Sequence, residues 1–150
     1  MKRIVVVGVV FLMTLTLAYA AERGTADEAV SLVKKAVAFY NANGEEKALA
    51  EFNNLNSEFN TNKDLYLSVY DMKGKVVAHG KSPKLVGLNL IELKDMAGKK
   101  FMQEFVDKAS KSSSGWVDYS WTDPLTRKVM PKSAYFERAG NLIIQAGIYK

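Results

Sequence analysis

The chain has 150 residues, one histidine, no cysteine and a formal net charge of +5 at pH 7. This length suits one domain with a substantial core. The lack of cysteine excludes a disulfide framework, thiolate metal sites and thiol nucleophiles. The basic residues are scattered along the chain, so the charge does not indicate a nucleic-acid-binding surface.

The first 20 residues predict a cleaved signal peptide. Lys2 and Arg3 form a basic start, residues 4–17 are apolar, and residues 18–20 read Ala-Tyr-Ala, a small-x-small cleavage pattern. The apolar segment is shorter than the roughly 20 residues that a membrane-spanning helix needs. We therefore expect a periplasmic domain of residues 21–150 without a membrane span; an uncleaved anchor is the alternative.

Two helices are predicted at the start of this domain. Thr25 and Glu28 have the spacing of a capping box, so the first helix should begin there. An apolar stripe at helical spacing follows, formed by Val30, Val33, Val37 and Tyr40. A glycine at position 44 should end this helix, and residues 45–53 should form a shorter one. Both helices should cover one face of a sheet.

The rest of the chain predicts five strands and a third helix. Residues 65–70 alternate like a half-buried strand, and a turn at Gly74 leads to a second strand over residues 75–80. Residues 85–94 form an apolar crossover, which should pack against another part of the domain. A helix over residues 101–109 follows. Three more strands are expected, over residues 116–122, 128–138 and 142–149. The order predicts an α+β domain whose five-stranded antiparallel sheet has the first helix on one face and the crossover on the other.

The strands carry side chains suited to binding an anion. Lys132 stands in mid-strand among apolar residues, where it could pair with a buried carboxylate ligand, because an unpaired charge in a dry pocket is costly. Tyr119 and Trp121 share one strand face with Val117, and they could wall a pocket and donate hydrogen bonds. The alternatives are a lysine that reaches solvent past an aromatic ring, and aromatic rings that only fill the core.

Four further residues complete the set of candidates. His79 could donate to a carboxylate, and its titration near neutrality would make binding pH-dependent; a purely structural histidine is the alternative. Tyr66 and Tyr149 lie on predicted neighbouring strands. Strict alternation places Lys132 and Tyr135 on opposite faces, so both can line one pocket only if a bulge or an edge position intervenes.

Five segments follow one another in an order that is typical of a known family. They read LYLSVYDMKGKVVAHG, LVGLNLIELKDMAGKKF, SGWVDYSW, PKSAYF and IIQAGIY. Over residues 27–149 the chain resembles the single Cache extracellular sensor domains, second subtype, of bacterial chemoreceptors and sensor kinases. The resemblance implies a PAS-like sheet, with a pocket between sheet and crossover and His79 at the pocket mouth.

The resemblance also implies a ligand and a partner. Typical ligands of the family are short carboxylates such as acetate, propionate or pyruvate. Family members usually sit between two transmembrane helices, whereas this chain stops at Lys150, directly after the last predicted strand. We therefore expect a small organic acid as ligand and signalling through a membrane kinase, chemoreceptor or transporter.

The sequence does not favour an enzyme. It has one histidine, no HExxH or GxSxG motif and no phosphate-binding glycine loop. No cofactor is expected. Two other functions stay open: noncovalent haem binding with His79 as axial ligand, and a ligand-free module that docks on an envelope complex.

Overall fold

The computed structural model describes residues 22–150, so the predicted signal peptide lies outside the described residues. The elements are α1 (Ala26–Asn43), α2 (Glu45–Asn53), β1 (Ser68–Asp71), β2 (Val76–His79), a short 3-10 helix (Pro83–Leu85), α3 (Phe101–Lys111), β3 (Ser114–Thr122), β4 (Val129–Ala139) and β5 (Leu142–Tyr149). The five strands form one antiparallel sheet in the order β2-β1-β5-β4-β3. The predicted fold class is confirmed.

Helix α1 begins with the predicted capping box. The Thr25 hydroxyl accepts a hydrogen bond from the Glu28 amide, and the Glu28 carboxylate accepts one from the Thr25 amide at 2.8 Å. Such a cap stabilises a helix by about 1 kcal/mol. The buried face of α1 consists of Ala29, Leu32, Val33 and Ala36. The predicted stripe is therefore displaced, because small alanines, rather than the larger Val30 and Val37, face the sheet.

The sheet is buried on both faces. Helices α1 and α2 cover one face, where Phe52 and Phe59 pack edge to face at 5.1 Å between ring centroids. Helix α3 and part of the crossover cover the other face. Residues 65–70 are all buried, since β1 lies between β2 and β5 with a layer on each side. The prediction of a half-buried strand there was wrong, and the strand itself begins only at Ser68.

The crossover between β2 and α3 is bound to the edge of the sheet. The Val76 amide donates to the Leu88 carbonyl at 2.9 Å, and the Gly87 amide donates to the Val76 carbonyl at 2.8 Å. Leu90 is buried against the α3 core, whereas Leu88 is 50% exposed. Only part of this apolar segment therefore covers the sheet.

Candidate ligand-binding site

A buried lysine surrounded by tyrosines marks the sheet face that α3 and the crossover cover. Lys132 lies in β4 and is 2% exposed. Its side chain crosses Gly147 of β5, where an added Cβ would lie 2.7 Å from the lysine Cε. The ammonium donates to the Tyr66 hydroxyl at 3.0 Å. It also faces the rings of Tyr149 and Tyr119, at 5.2 and 5.8 Å from their centroids.

This lysine has no direct counter-charge among the described residues. Within residues 22–150, no carboxylate forms an ion pair with Lys132. Burial lowers the pKa of Lys132 to about 7, and the charge of Asp64 offsets only part of that effect. The Lys132 amine therefore titrates near neutral pH. An incoming anion would supply the counter-charge that the fold leaves out.

The tyrosines next to the lysine form a directed chain of hydrogen bonds. The Tyr149 hydroxyl donates to the Thr122 carbonyl at 2.8 Å, so its oxygen accepts from the Tyr66 hydroxyl, 2.9 Å away. Tyr66 in turn accepts from Lys132. Burial raises the pKa of Tyr66 and of Tyr149, so both hydroxyls stay protonated at physiological pH. The chain therefore places two neutral hydroxyls beside Lys132, and both of their protons are already donated within the chain.

His79 stands next to this chain as a neutral ring. It is 3% exposed and stacks on Tyr66 at 5.2 Å between ring centroids. Its Nδ1 accepts from the backbone amides of Lys81 and Ser82, so the ring proton lies on Nε2. Burial, together with the charge of Lys132, lowers the pKa of His79 to about 3. The expectation that His79 titrates near neutrality was wrong, although it still presents one N–H donor.

The same geometry argues against haem. A histidine that binds a metal usually donates its second ring N–H to a carboxylate or carbonyl. His79 instead accepts two amide donors at that nitrogen. In the part of the chain that the structure describes, no cluster of three or more His, Asp or Glu side chains is arranged to hold a metal ion. The structure thus gives no support to His79 as an axial ligand.

A cleft of about 670 Å³ opens beside this cluster, between the 3-10 helix and the β3–β4 turn. Tyr66 and Trp121 line it, together with Lys81, Lys84 and Arg127. The other clustered candidates do not reach its wall; these are His79, Tyr119, Lys132 and Tyr149. Tyr66, which lines the cleft and accepts a hydrogen bond from Lys132, therefore connects the cleft wall with the buried lysine.

Packed aromatic rings form the side of the site that β3 contributes. Tyr119 is 6% exposed and stacks on Phe101 of α3 at 4.6 Å between centroids, with 9° between the ring planes. Trp121 packs its edge against the same phenylalanine at 5.4 Å and remains partly exposed. The two residues thus lie on one face, as their spacing predicts, and Trp121 forms the outer part of the wall.

Tyr135 is not part of the cluster. The β3–β4 pairing runs without a bulge through this region, so Tyr135 and Lys132 lie on opposite faces. The Tyr135 ring packs on the α1 side, 5.4 Å from Trp116, and its hydroxyl donates to Glu137 at 2.8 Å. The structure therefore separates Tyr135 from the site for which it was a candidate.

The sequence interpretation missed a buried charge cluster at the base of the site. Arg23 pairs with Asp64 at 3.0 Å and with Asp123 at 2.7 Å, and both carboxylates are almost fully buried. These contacts lower the pKa of Asp123 to about 2 despite its desolvation. Asp123 lines the cleft, so the ion pairs join the segment before α1 to the cleft wall. The pairing spans 100 residues of sequence, so no local pattern could have revealed it.

The five-stranded antiparallel sheet, with a long helix on one face and a polar cluster beside a cleft on the other, has the architecture of PAS-like domains. The chain belongs to the single Cache domain 2 family, whose model matches residues 19–149. Cache domains are periplasmic, non-catalytic sensor modules of chemotaxis receptors that bind small ligands. Within residues 22–150, no helix combines the length and apolar character needed to cross a membrane.

Known relatives agree with this assignment. The chain is 28% identical over 88 residues to the methyl-accepting chemotaxis protein McpP of Pseudomonas putida KT2440; the match covers 57% of this chain and 16% of that receptor. The structure of a methyl-accepting chemotaxis protein from Vibrio parahaemolyticus RIMD 2210633 superposes with a TM-score of 0.70 at 27% identity, over 82% of this chain and 86% of that one.

Two further solved structures share the fold. The periplasmic sensor domain of a chemotaxis protein superposes with a TM-score of 0.64 at 25% identity, over 82% of this chain and 88% of that one. A Cache chemosensory domain that recognises carboxylic acids has a TM-score of 0.61 at 22% identity, over 79% and 84% of the two chains. The last of these relationships shows the fold alone.

Proposed function

We propose that this domain is a periplasmic sensor of a short carboxylate, that it passes its signal to a membrane partner, and that it catalyses no reaction. One observation carries the proposal: the Lys132 ammonium is buried without an ion-pair partner among residues 22–150, and it lies beside tyrosine hydroxyls. A bound carboxylate would pair with that ammonium in a site that excludes water. Such charge-assisted hydrogen bonds are among the strongest in proteins.

The donors around Lys132 suit one carboxylate group. The Tyr66 hydroxyl now accepts from the lysine and donates its one proton to Tyr149, so it could donate to a ligand oxygen only by giving up that hydrogen bond to Tyr149. His79, whose ring stacks on Tyr66, has a further donor at Nε2–H. Tyr119 and Trp121 pack on Phe101 at the β3 side of this group, so a ligand there would meet aromatic rings, which suit a short apolar chain beside the carboxylate.

The relatives support both halves of this proposal. One structural relative is a Cache chemosensory domain that recognises carboxylic acids, and others are chemotaxis receptors. A membrane-bound receptor, kinase or transporter would therefore be the partner. The absence of catalysis is supported by the family, whose members are sensor modules of chemotaxis receptors.

Thermal melting of the purified chain with two- to four-carbon carboxylates tests the proposal. A ligand at about 100 times its dissociation constant should stabilise the domain by roughly 2.7 kcal/mol, which raises the Tm by several degrees. Loss of the ammonium in Lys132→Met should weaken binding about 10- to 150-fold. Lys128→Met is the matched control, because Lys128 is exposed.

Two results would contradict the proposal. One is the absence of any Tm change with millimolar acids, which would favour a docking module without a ligand. The other is equal binding by Lys132→Met and Lys128→Met. The Lys132→Met domain should remain folded, since the Tyr66 hydroxyl keeps its hydrogen bond to Tyr149.

A further inference from the structure

Two buried side-chain oxygens on the sheet face that carries Lys132 lack a hydrogen-bond partner. Within residues 22–150 these are Ser68 Oγ and Gln145 Oε1, and both side chains are almost fully buried. Leaving a buried polar atom unpaired costs about 1–3 kcal/mol, so such atoms are rare in folded proteins. Two of them together indicate a missing polar partner.

The two residues are direct neighbours on adjacent strands. Ser68 of β1 is the register partner of Gln145 of β5, so their side chains leave the sheet on the same face. On its other side, Ser68 is the register partner of His79. A row of three polar side chains therefore runs across β2, β1 and β5. It lies on the face that carries Lys132.

This row lies next to Lys132 on the same face of the sheet. Gln145 is two residues along β5 from Gly147, over which the Lys132 side chain lies; this spacing is about 6.8 Å along a strand. The Gln145 amide donates to the Tyr70 hydroxyl at 3.0 Å. Burial raises the pKa of Tyr70, while Gln145, Ser68 and Tyr119 oppose that rise, so these groups are close neighbours. Ser68 Oγ nevertheless has no bond of acceptable geometry.

The hydrogen-bonding capacity of the two atoms limits what could pair with them. Gln145 Oε1 can only accept, whereas the Ser68 hydroxyl can donate or accept. A ligand hydroxyl would satisfy both, by donating to Gln145 and accepting from Ser68. A keto oxygen would leave Gln145 unpaired, and a methyl group would leave both unpaired. An ammonium could donate, but it would place a second positive charge near Lys132.

We propose that Ser68 and Gln145 form a second subsite that recognises a hydroxyl group, so that the preferred ligand is a short hydroxy acid. This inference rests on the proposed function, because the carboxylate of the same ligand would bind at Lys132. The hydroxyl contact then sets specificity, and the lysine contact sets affinity for carboxylates as a class.

Calorimetric titration of the purified chain with three acids of equal length tests the subsite. Propionate, pyruvate and both enantiomers of lactate differ only in the group on the second carbon. At least one lactate enantiomer should bind about tenfold or more tightly than propionate, with pyruvate between them. In Ser68→Ala this preference should fall to less than about threefold while propionate binding stays within about twofold. Ser120→Ala, on the opposite face of β3, is the control and should keep the preference.

The outcomes separate this inference from the proposed function. If propionate and lactate bind the unaltered chain equally, the two oxygens are satisfied by buried water, and the subsite is refuted while carboxylate sensing stands. If Ser68→Ala weakens all three acids to the same degree, Ser68 has a structural role and the subsite is again refuted. If no acid binds, both proposals fail.

Discussion

Carboxylate binding should be accompanied by proton uptake at Lys132. Burial lowers the pKa of this lysine to about 7 in the free domain. A bound carboxylate would stabilise the ammonium and raise that pKa again. Since only the protonated lysine supplies the counter-charge, the ligand-free domain must take up a proton whenever Lys132 is neutral. Raising the pH is therefore the perturbation that tests the electrostatics of the site.

The size of the effect follows from the protonated fraction of Lys132. With a pKa of about 7, the association constant should fall about 90-fold between pH 6 and pH 9, approaching tenfold per unit at the upper end. Short carboxylic acids are ionised across this range, as their pKa values near 4 imply. His79, with a pKa of about 3, stays neutral throughout and contributes nothing.

The free energy of unfolding of the ligand-free domain should increase as the pH rises, whereas the affinity for the carboxylate decreases. The folded-state pKa of Lys132 lies below its ordinary value of 10.5, so between pH 7 and 10.5 the unfolded chain binds more protons than the folded domain. The penalty for burying the ammonium is fully present below pH 7. It is relieved as the pH rises, by at most about 1.4 kcal/mol per unit.

Isothermal titration at several pH values, in buffers of different ionisation enthalpy, measures both the affinity and the protons taken up. We expect an uptake of about 0.1 proton at pH 6, 0.5 at pH 7 and nearly 1 at pH 9. An affinity that is constant from pH 6 to pH 9 would refute this reasoning. So would proton uptake that persists in Lys132→Met.

Three further changes test other parts of the site. Gly147→Ala places a Cβ 2.7 Å from the Lys132 Cε and 2.8 Å from a backbone oxygen, so it should lower the free energy of unfolding by about 1–3 kcal/mol and weaken carboxylate binding in titration. Arg23→Gln leaves two buried carboxylates without their cation, and urea unfolding should show a loss of about 1–3 kcal/mol. That loss should disappear as the pH falls toward 2, where Asp123, whose pKa is lowered to about 2, becomes protonated. In hydrogen exchange, saturating ligand should slow the crossover over residues 85–94 more than α1; equal protection of the two would exclude the crossover as the responsive element.

The fold could be predicted largely because its determinants are local. The capping box at Thr25 and the positive φ of 84° at Gly74 are each set within a few residues. The alternation of β4 likewise predicted that Tyr135 and Lys132 lie on opposite faces. The burial of β1 on both faces could not be predicted in this way, because it depends on the position of the strand within the sheet.

The electrostatics of the site depend on contacts between distant parts of the chain. The pKa of His79 is lowered because its ring is buried against Tyr66 and lies near Lys132, more than 50 residues away in sequence. The unpaired oxygens of Ser68 and Gln145 become visible only when two strands are paired in register. A single sequence identifies the residue types that such a site needs, but it does not show which of them meet.

Stability alone does not explain a lysine at position 132. Methionine has a similar length and could fill the same space over Gly147. It would also avoid the cost of burying an ammonium that has no ion-pair partner within residues 22–150. A purely structural role would therefore favour an apolar side chain there. The lysine is useful when a negatively charged ligand reaches the site, because the ligand then meets an already desolvated cation and neutral donors. The same feature that weakens the free domain therefore strengthens the complex, and this difference in free energy is what a sensor can convert into a change of conformation.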